Sequence, residues 1–340
     1  MRTTWRIVAA LLVLGALAIG ATAASARGGD DGKGNGKGAA AARLFTLAPD
    51  PAANPEGIVY DKRRKAFYVS STGDGTIYRG TLGSSTVVPF ITDVTAKAAV
   101  GLEARRGLLY VAGGPTGTIA VYDLDTKAPV ATFETGAGGF LNDLVVTERG
   151  DVYVTDSFRP TLWHVTAAQV RAGGGTPQAI DVSGSITFEA GAFNLNGIVA
   201  RGESRLFVVQ SNTGTLWQIR LRDGGSAVRS ISAVSGVSLP GGDGMIVDRG
   251  RLVVVQGGPP AQLTFVKLRN GGNRGSIRGE IQSDLLNGPS TVARAKKLYL
   301  VVNADFANSA TPFTVAGVPA KRGGGGGNDD HGHGHGGDDD

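Results

Sequence analysis

FNLNGIVARGESRLFVVQSNTGTLWQI, residues 193–219, reads as three short apolar strands separated by polar turns. Asn196-Gly197 leads into Ile198 and Val199, and Arg201-Gly202-Glu203-Ser204 turns the chain. A second strand covers Leu206 to Val209, residues 211–214 turn again, and a third strand covers Leu216 to Ile219. Apolar runs this short, punctuated by Gly, Asn and Ser, suit an antiparallel meander rather than a helix.

The same unit recurs along the chain. Its copies begin at Pro55-Glu56-Gly57, Val100-Gly101-Leu102, Leu141-Asn142-Asp143, Leu195-Asn196-Gly197, Gly242-Asp243-Gly244 and Gly288-Pro289-Ser290. About ten residues on, each copy has a second strand, such as Phe67-Tyr68-Val69, Leu109-Tyr110-Val111 or Val152-Tyr153-Val154. The period of about 40 to 55 residues is that of propeller blades. One four-stranded unit cannot bury both its faces, but units packed radially bury them against each other. The fold expected is all-β: a six-bladed β-propeller with four-stranded antiparallel blades around a central channel, over residues 43–320. Ring closure is expected from residues 43–47 pairing with residues 313–315.

In such a ring the first strand of every blade lines the channel, so equivalent positions meet in space. Aligning the copies on their second strands gives Glu56, Val100, Asn142, Asn196, Asp243 and Pro289. Carboxylates and amides converging at one channel mouth match the oxygen ligands that a hard divalent cation requires. Asn196-Gly197 and Asp243-Gly244 are also strong turn signals. Each position taken singly therefore admits a turn reading, and the repeat phase shared with Glu56 is what points to ligands. Gln210 and Gln256, ending second strands, either shape a pocket or bond within the core.

Counting narrows the other chemistries. The chain has no Cys, and His164 is the one histidine of the repeat region. It falls on a third strand, as a surface or inter-blade side chain, away from where a Ser-His-Asp triad would need it. No Gly-rich loop joins a strand to a helix, so no nucleotide cradle is predicted. The net charge of +5 is scattered, with no basic and aromatic stripe for nucleic acid.

The termini read differently. Arg2 and Arg6 precede an apolar run over residues 7–19, and Ala24-Ser25-Ala26 supplies a small-residue cleavage pattern. Residues 1–26 are expected to be a signal peptide, its apolar run being short for a membrane span. The mature protein is then exported, either secreted or kept in the cell envelope or periplasm. Residues 27–42 read as a flexible linker and residues 321–340 as a Gly/His/Asp tail. The tail's His331, His333 and His335 suit weak metal chelation.

The motifs EGIVYD at Glu56, LNDLVV at Asn142, LNGIVA at Asn196 and GDGMIVD at Asp243 resemble the gluconolactonase/regucalcin family of propellers, the senescence-marker proteins. The resemblance spans about residues 43–318. It implies that Glu56, Asn196 and Asp243 bind one divalent cation, with Ca²⁺ first and Mg²⁺, Mn²⁺ or Zn²⁺ as alternatives. It also implies that Asp243 serves as the catalytic base and that Asn142 contacts substrate, a small lactone or ester. Two positions depart from the family pattern. Tyr60 stands where a Trp is common, and Phe140 stands where several family lactonases carry a substrate-holding Arg. The competing expectation is a non-catalytic, ligand- or protein-binding propeller of the NHL type.

Overall fold

A computed structural model describes residues 40–50, 52–92, 97–223 and 225–320. The predicted signal peptide, most of the linker and the 321–340 tail lie outside the described residues. Strand β1 (Arg43–Leu47) is followed by β2 (Pro55–Asp61), β3 (Ala66–Ser71), β4 (Ile77–Thr81) and β5 (Thr86–Ile91). The next group is β6 (Leu102–Arg105), β7 (Leu108–Ala112), β8 (Thr118–Asp123) and β9 (Pro129–Glu134). After it come β10 (Leu141–Val146), β11 (Val152–Asp156), β12 (Thr161–Val165) and β13 (Gln178–Asp181), with the short helix α1 (Ala167–Ala172) between the last two. Strands β14 (Leu195–Ala200), β15 (Arg205–Gln210), β16 (Thr215–Leu221) and β17 (Val228–Ala233) contain the stretch quoted first. The last groups are β18 (Gly242–Asp248), β19 (Arg251–Gln256), β20 (Gln262–Arg269) and β21 (Arg274–Gln282), then β22 (Pro289–Ala295), β23 (Leu298–Asn303) and β24 (Thr314–Pro319).

The molecule is all-β, as the repeat predicts. Strands β6–β9, β10–β13, β14–β17 and β18–β21 form four-stranded sheets, each pairing its strands in chain order. The remaining strands form one eight-stranded sheet, in the order β2-β3-β4-β5-β1-β24-β23-β22. This differs from the separate four-stranded blades expected, and β1 is the reason. It pairs antiparallel with β24, Phe45 opposite Val315, as the closure expectation requires. It also pairs in parallel with β5 at Thr46↔Thr86 and Leu47↔Val87, which joins two four-stranded halves into one sheet.

The apolar core lies between sheets that follow one another. One cluster joins Val59, Tyr68 and Ile77 to Leu102, Leu109 and Val111. Another joins Phe45, Phe67 and Tyr78 to Leu298, Leu300 and Val315, so the last strands pack on the first. The first strands of the groups are neighbours in the cyclic order β2, β6, β10, β14, β18, β22 and back to β2. The step from last to first is made by Ser290, whose Oγ donates to the Glu56 carbonyl at 2.7 Å. No helix among the described residues is long and apolar enough to cross a membrane.

Candidate metal centre at the start of the first strands

A local irregularity in the first strands creates the site. Pairing of first with second strands skips between Pro55 and Ile58, Leu141 and Leu144, Leu195 and Ile198, Gly242 and Met245, and Pro289 and Val292. Each skip is a bulge that leaves two residues out of the ladder and re-aims their side chains. The first bulged residues are Glu56, Asn142, Asn196, Asp243 and Ser290, and Val100 takes the same place just before β6. The structure corrects one assignment here. Pro289 opposes Asn303 as Pro55 opposes Ser71, so Ser290, not Pro289, is the ring residue of the last copy. The alignment slipped because Pro289-Ser290-Thr291 lacks the glycine that marks the phase elsewhere.

The bulges free backbone groups that side-chain hydroxyls then satisfy. Gly57 N–H donates to Ser70 Oγ at 2.7 Å, and Ser70 Oγ donates to the Val100 carbonyl at 2.6 Å. Likewise Asp143 N–H donates to Thr155 Oγ1 at 3.0 Å, and Thr155 Oγ1 donates to the Asn196 carbonyl at 2.8 Å. These hydroxyls tie the bulge of one sheet to the first strand of the next.

At the ring positions four buried oxygens have no partner: Glu56 Oε2, Asn142 Oδ1, Asn196 Oδ1 and Asp243 Oδ1. They belong to the four oxygen-bearing positions predicted from the repeat phase. A buried polar atom left unpaired costs about 1–3 kcal/mol, so four at one repeat phase make this ring the candidate position for a ligand. The Asn142 amide is oriented by its Nδ2, which donates to Ser157 Oγ at 3.0 Å. Its unpartnered face is therefore the oxygen.

The carboxylates of the site destabilise one another. Burial first, then the charges of Asp243 and Asp143, push the Glu56 carboxyl well above its ordinary range, against a hydrogen bond from Thr291. Burial and then the Asp143 charge push Asp243 up to about 7, opposed by Asn196 and the Gly244 N–H. Burial pushes Asp143 to about 7, although the N–H groups of Leu144 and Ile198 hold its oxygens. Burial and the Asp143 charge raise Glu103 to about 8, opposed by Arg105. A divalent cation among these groups would offset the repulsion and engage the unpartnered oxygens, so the donor set fits a hard ion. Among the described residues no three His, Cys, Asp or Glu side chains are grouped as a metal site. The fit here rests on amide and carboxylate oxygens together.

Asp143 and Glu103 are two further raised carboxyls, which the first position of each copy does not single out. The signal for Asp143 is its phase, because Gly57, Gly101, Gly197 and Gly244 fill the equivalent second position of other copies. Glu103 sits on β6 with no repeat signal. The remaining candidates are structural. His164 is buried on β12, its ring stacked on Tyr153 with centroids 4.7 Å apart and its Nδ1 3.2 Å from Gln178 Oε1. Burial lowers its pKa. Gln210 donates to the Thr187 carbonyl and accepts from Trp217 Nε1, and Gln256 donates to the Pro240 carbonyl. A surface groove lined by Arg269, Arg274 and Arg278 lies on β20 and β21, remote in each sheet from the first strands.

The raised carboxyls set a pH dependence. Folded pKa values above the unfolded ones mean that the folded protein holds more protons between about pH 4 and 8. Stability of the cation-free protein is therefore present at low pH and lost as pH rises through about 7 to 8. Melting temperature in chelator is expected to fall from pH 5 to pH 8.5, with added Ca²⁺ restoring more at pH 8.5 than at pH 5. A melting temperature that climbs across this window would remove the buried, mutually repelling carboxylates from the account.

No protein-family model matches the chain, and no curated protein matches it. Solved structures do. A gluconolactonase from Xanthomonas campestris aligns with TM-score 0.57 at 19% identity, over 82% of this chain and 90% of that one. The allergen Mala s 1 of Malassezia sympodialis aligns with TM-score 0.59 at 13% identity, over 81% and 95%. Virginiamycin B lyase from Staphylococcus aureus aligns with TM-score 0.53 at 12% identity, over 77% and 81%. At these identities the likeness is one of fold, and it places the chain among all-β proteins of propeller-like architecture.

Proposed function

We propose that the chain is a six-bladed propeller, its eight-stranded sheet being two blades bridged by β1, and that it hydrolyses lactones or esters with a divalent cation at the channel mouth. The observation that carries this reading is the set of four unpartnered buried oxygens at one repeat phase. The gluconolactonase among its structural neighbours supports the same class. Glu56, Asn196 and Asp243 would hold the cation, taken as Ca²⁺, which oxygen ligands of this kind suit. The bound ion supplies positive charge that polarises the substrate carbonyl and favours ionisation of water nearby.

The chain's own residues do the rest. Asp243, as the carboxylate, takes a proton from the attacking water as its oxygen bonds to the carbonyl carbon. The ring C–O bond then breaks, and the departing alkoxide oxygen takes that proton, giving a hydroxy acid and restoring the Asp243 carboxylate. Asn142 Oδ1, aimed by the Ser157 contact, accepts a hydrogen bond from the incoming water or a substrate hydroxyl. Glu56 keeps the site anionic enough to retain a doubly charged ion.

The test uses protein truncated after Ala320, which removes the histidine tail as a competing chelator. Ca²⁺ at about 100 times its Kd is expected to add about 2.7 kcal/mol of stability, about 5 °C in melting temperature. Hydrolysis on a lactone panel should appear with Ca²⁺ and vanish in chelator. Cation binding without turnover would favour the binding propeller. Absence of both would end the metal reading. Export belongs to the same proposal, and N-terminal sequencing of protein from the native host is expected to begin at Arg27.

A further inference from the structure

We infer that Phe140, Phe158 and Phe193 form an apolar wall on the Asn142 and Asn196 side of the ring, and that the substrate is a lactone or ester carrying an alkyl or aryl substituent rather than a polyhydroxylated sugar lactone. The inference rests on the hydrolase reading above. The three rings pack mutually, with centroids 5.5 Å apart for Phe140–Phe158 and 5.1 Å for the two pairs with Phe193. All three are only partly buried, and none joins the apolar clusters between sheets. Aromatic area left accessible in this way is stabilised by covering it, at about 25 cal/mol per Å².

In the chain they adjoin two ring residues and the residue that orients one of them. Phe140 precedes β10, whose second residue is Asn142, and Phe193 precedes β14, whose second residue is Asn196. Phe158 follows Ser157, the residue that orients the Asn142 amide. The wall is also rigid. The buried Asp156 accepts through Oδ1 from the N–H groups of Phe140 at 2.9 Å and Phe158 at 3.1 Å. Asn194, next to Phe193, donates its amide to the carbonyls of Ser157, Glu189 and Ala192. Preorganised aromatic area of this kind binds with little loss of freedom.

The charge beside the wall is already engaged. Arg159 pairs with Asp156 Oδ2 at 2.6 Å, donates to the Thr135 carbonyl at 2.8 Å and lies over the Trp163 ring at 4.9 Å. It is a support of the wall, not a free hand for a sugar hydroxyl or carboxylate. An apolar substituent on Phe140, Phe158 and Phe193 would hold its carbonyl group toward Asn142 and Asn196, on the ring that also carries Asp243.

The full chain in millimolar Ca²⁺ is assayed on γ-butyrolactone, γ-octalactone, γ-dodecalactone and glucono-δ-lactone. We expect kcat/KM to rise at least 10-fold from the unsubstituted to the longest alkyl lactone, mainly through KM. Phe140→Ala and Phe193→Ala should each lower the dodecalactone-to-butyrolactone ratio of kcat/KM about 10-fold, with Phe193→Leu retaining most of it. A ratio unchanged in both alanine variants, or a wild-type preference for glucono-δ-lactone, overturns the inference. If no lactone is hydrolysed, calorimetry with 2-alkylcyclopentanones of increasing chain length replaces the assay. Tighter binding with chain length, lost in Phe140→Ala, upholds the apolar wall while the hydrolase reading falls. No dependence on chain length overturns the wall as well.

Discussion

Replacing Asp243 by alanine is expected to lower kcat/KM on a lactone about 10³-fold or more while raising the melting temperature of the cation-free protein. The loss of rate follows from removing a cation ligand and the proton acceptor in one step; acid–base assistance alone is worth about 10²- to 10⁴-fold. The gain in stability follows from the buried Oδ1 that has no partner and from the repulsion that raises Glu56 when Asp243 is charged. Relief of about 1 kcal/mol at pH 8 corresponds to about 2 °C for a domain of this size. The cation-induced rise in melting temperature should vanish in the same variant. Opposite signs for rate and stability are the mark of a group held in a strained environment for function. Unchanged turnover would take Asp243 out of the mechanism, and a less stable cation-free variant would show that its carboxylate is structurally satisfied.

Much of this candidate site is legible in the sequence because the fold is a repeat. In a chain without internal copies, Glu56, Asn196 and Asp243 are three unrelated polar residues. Aligned on their second strands they share a phase, and the phase is a bulge that turns each side chain out of the ladder. The two errors come from the same source. The repeat phase falls on Pro289, one residue early, because Ser290-Thr291 replaces the residue-plus-glycine pair that marks the bulge elsewhere. Asp143 is an exception at the second position of its copy, to which the phase of the first position does not point. Neither Glu103 nor the wall of Phe140, Phe158 and Phe193 has a periodic signal. Phe158 and Phe193 sit in loops, and what assembles them is the Asp156 and Asn194 hydrogen bonding, which no spacing reveals. The eight-stranded sheet was equally invisible, since the parallel contact of β1 with β5 involves only two residue pairs.

Gly197→Ala is expected to damage stability and cation binding together, because this glycine sets the spacing of two first strands. A Cβ at Gly197 would lie 2.3 Å from the Asp243 carbonyl oxygen, 3.0 Å from Met245 N and 3.1 Å from Gly244 Cα. All three are backbone atoms of β18, so no flexible side chain can move aside, and β14 must separate from β18. Overpacking of this kind costs about 1–3 kcal/mol, and at the upper end about 4–5 °C in melting temperature. The displaced atom belongs to Asp243 itself, so Asn196 and Asp243, neighbours across these strands, lose their mutual placement. Ca²⁺ affinity by calorimetry should therefore fall at least 10-fold, although no proposed ligand has been changed. Gly184→Ala serves as the control, since a Cβ there meets nothing within 4 Å, and its effect should stay within about 0.5 kcal/mol. A Gly197→Ala protein with wild-type melting temperature and Ca²⁺ affinity would mean that β14 and β18 do not approach this closely. Asn196 and Asp243 would then not be fixed against each other by these two strands.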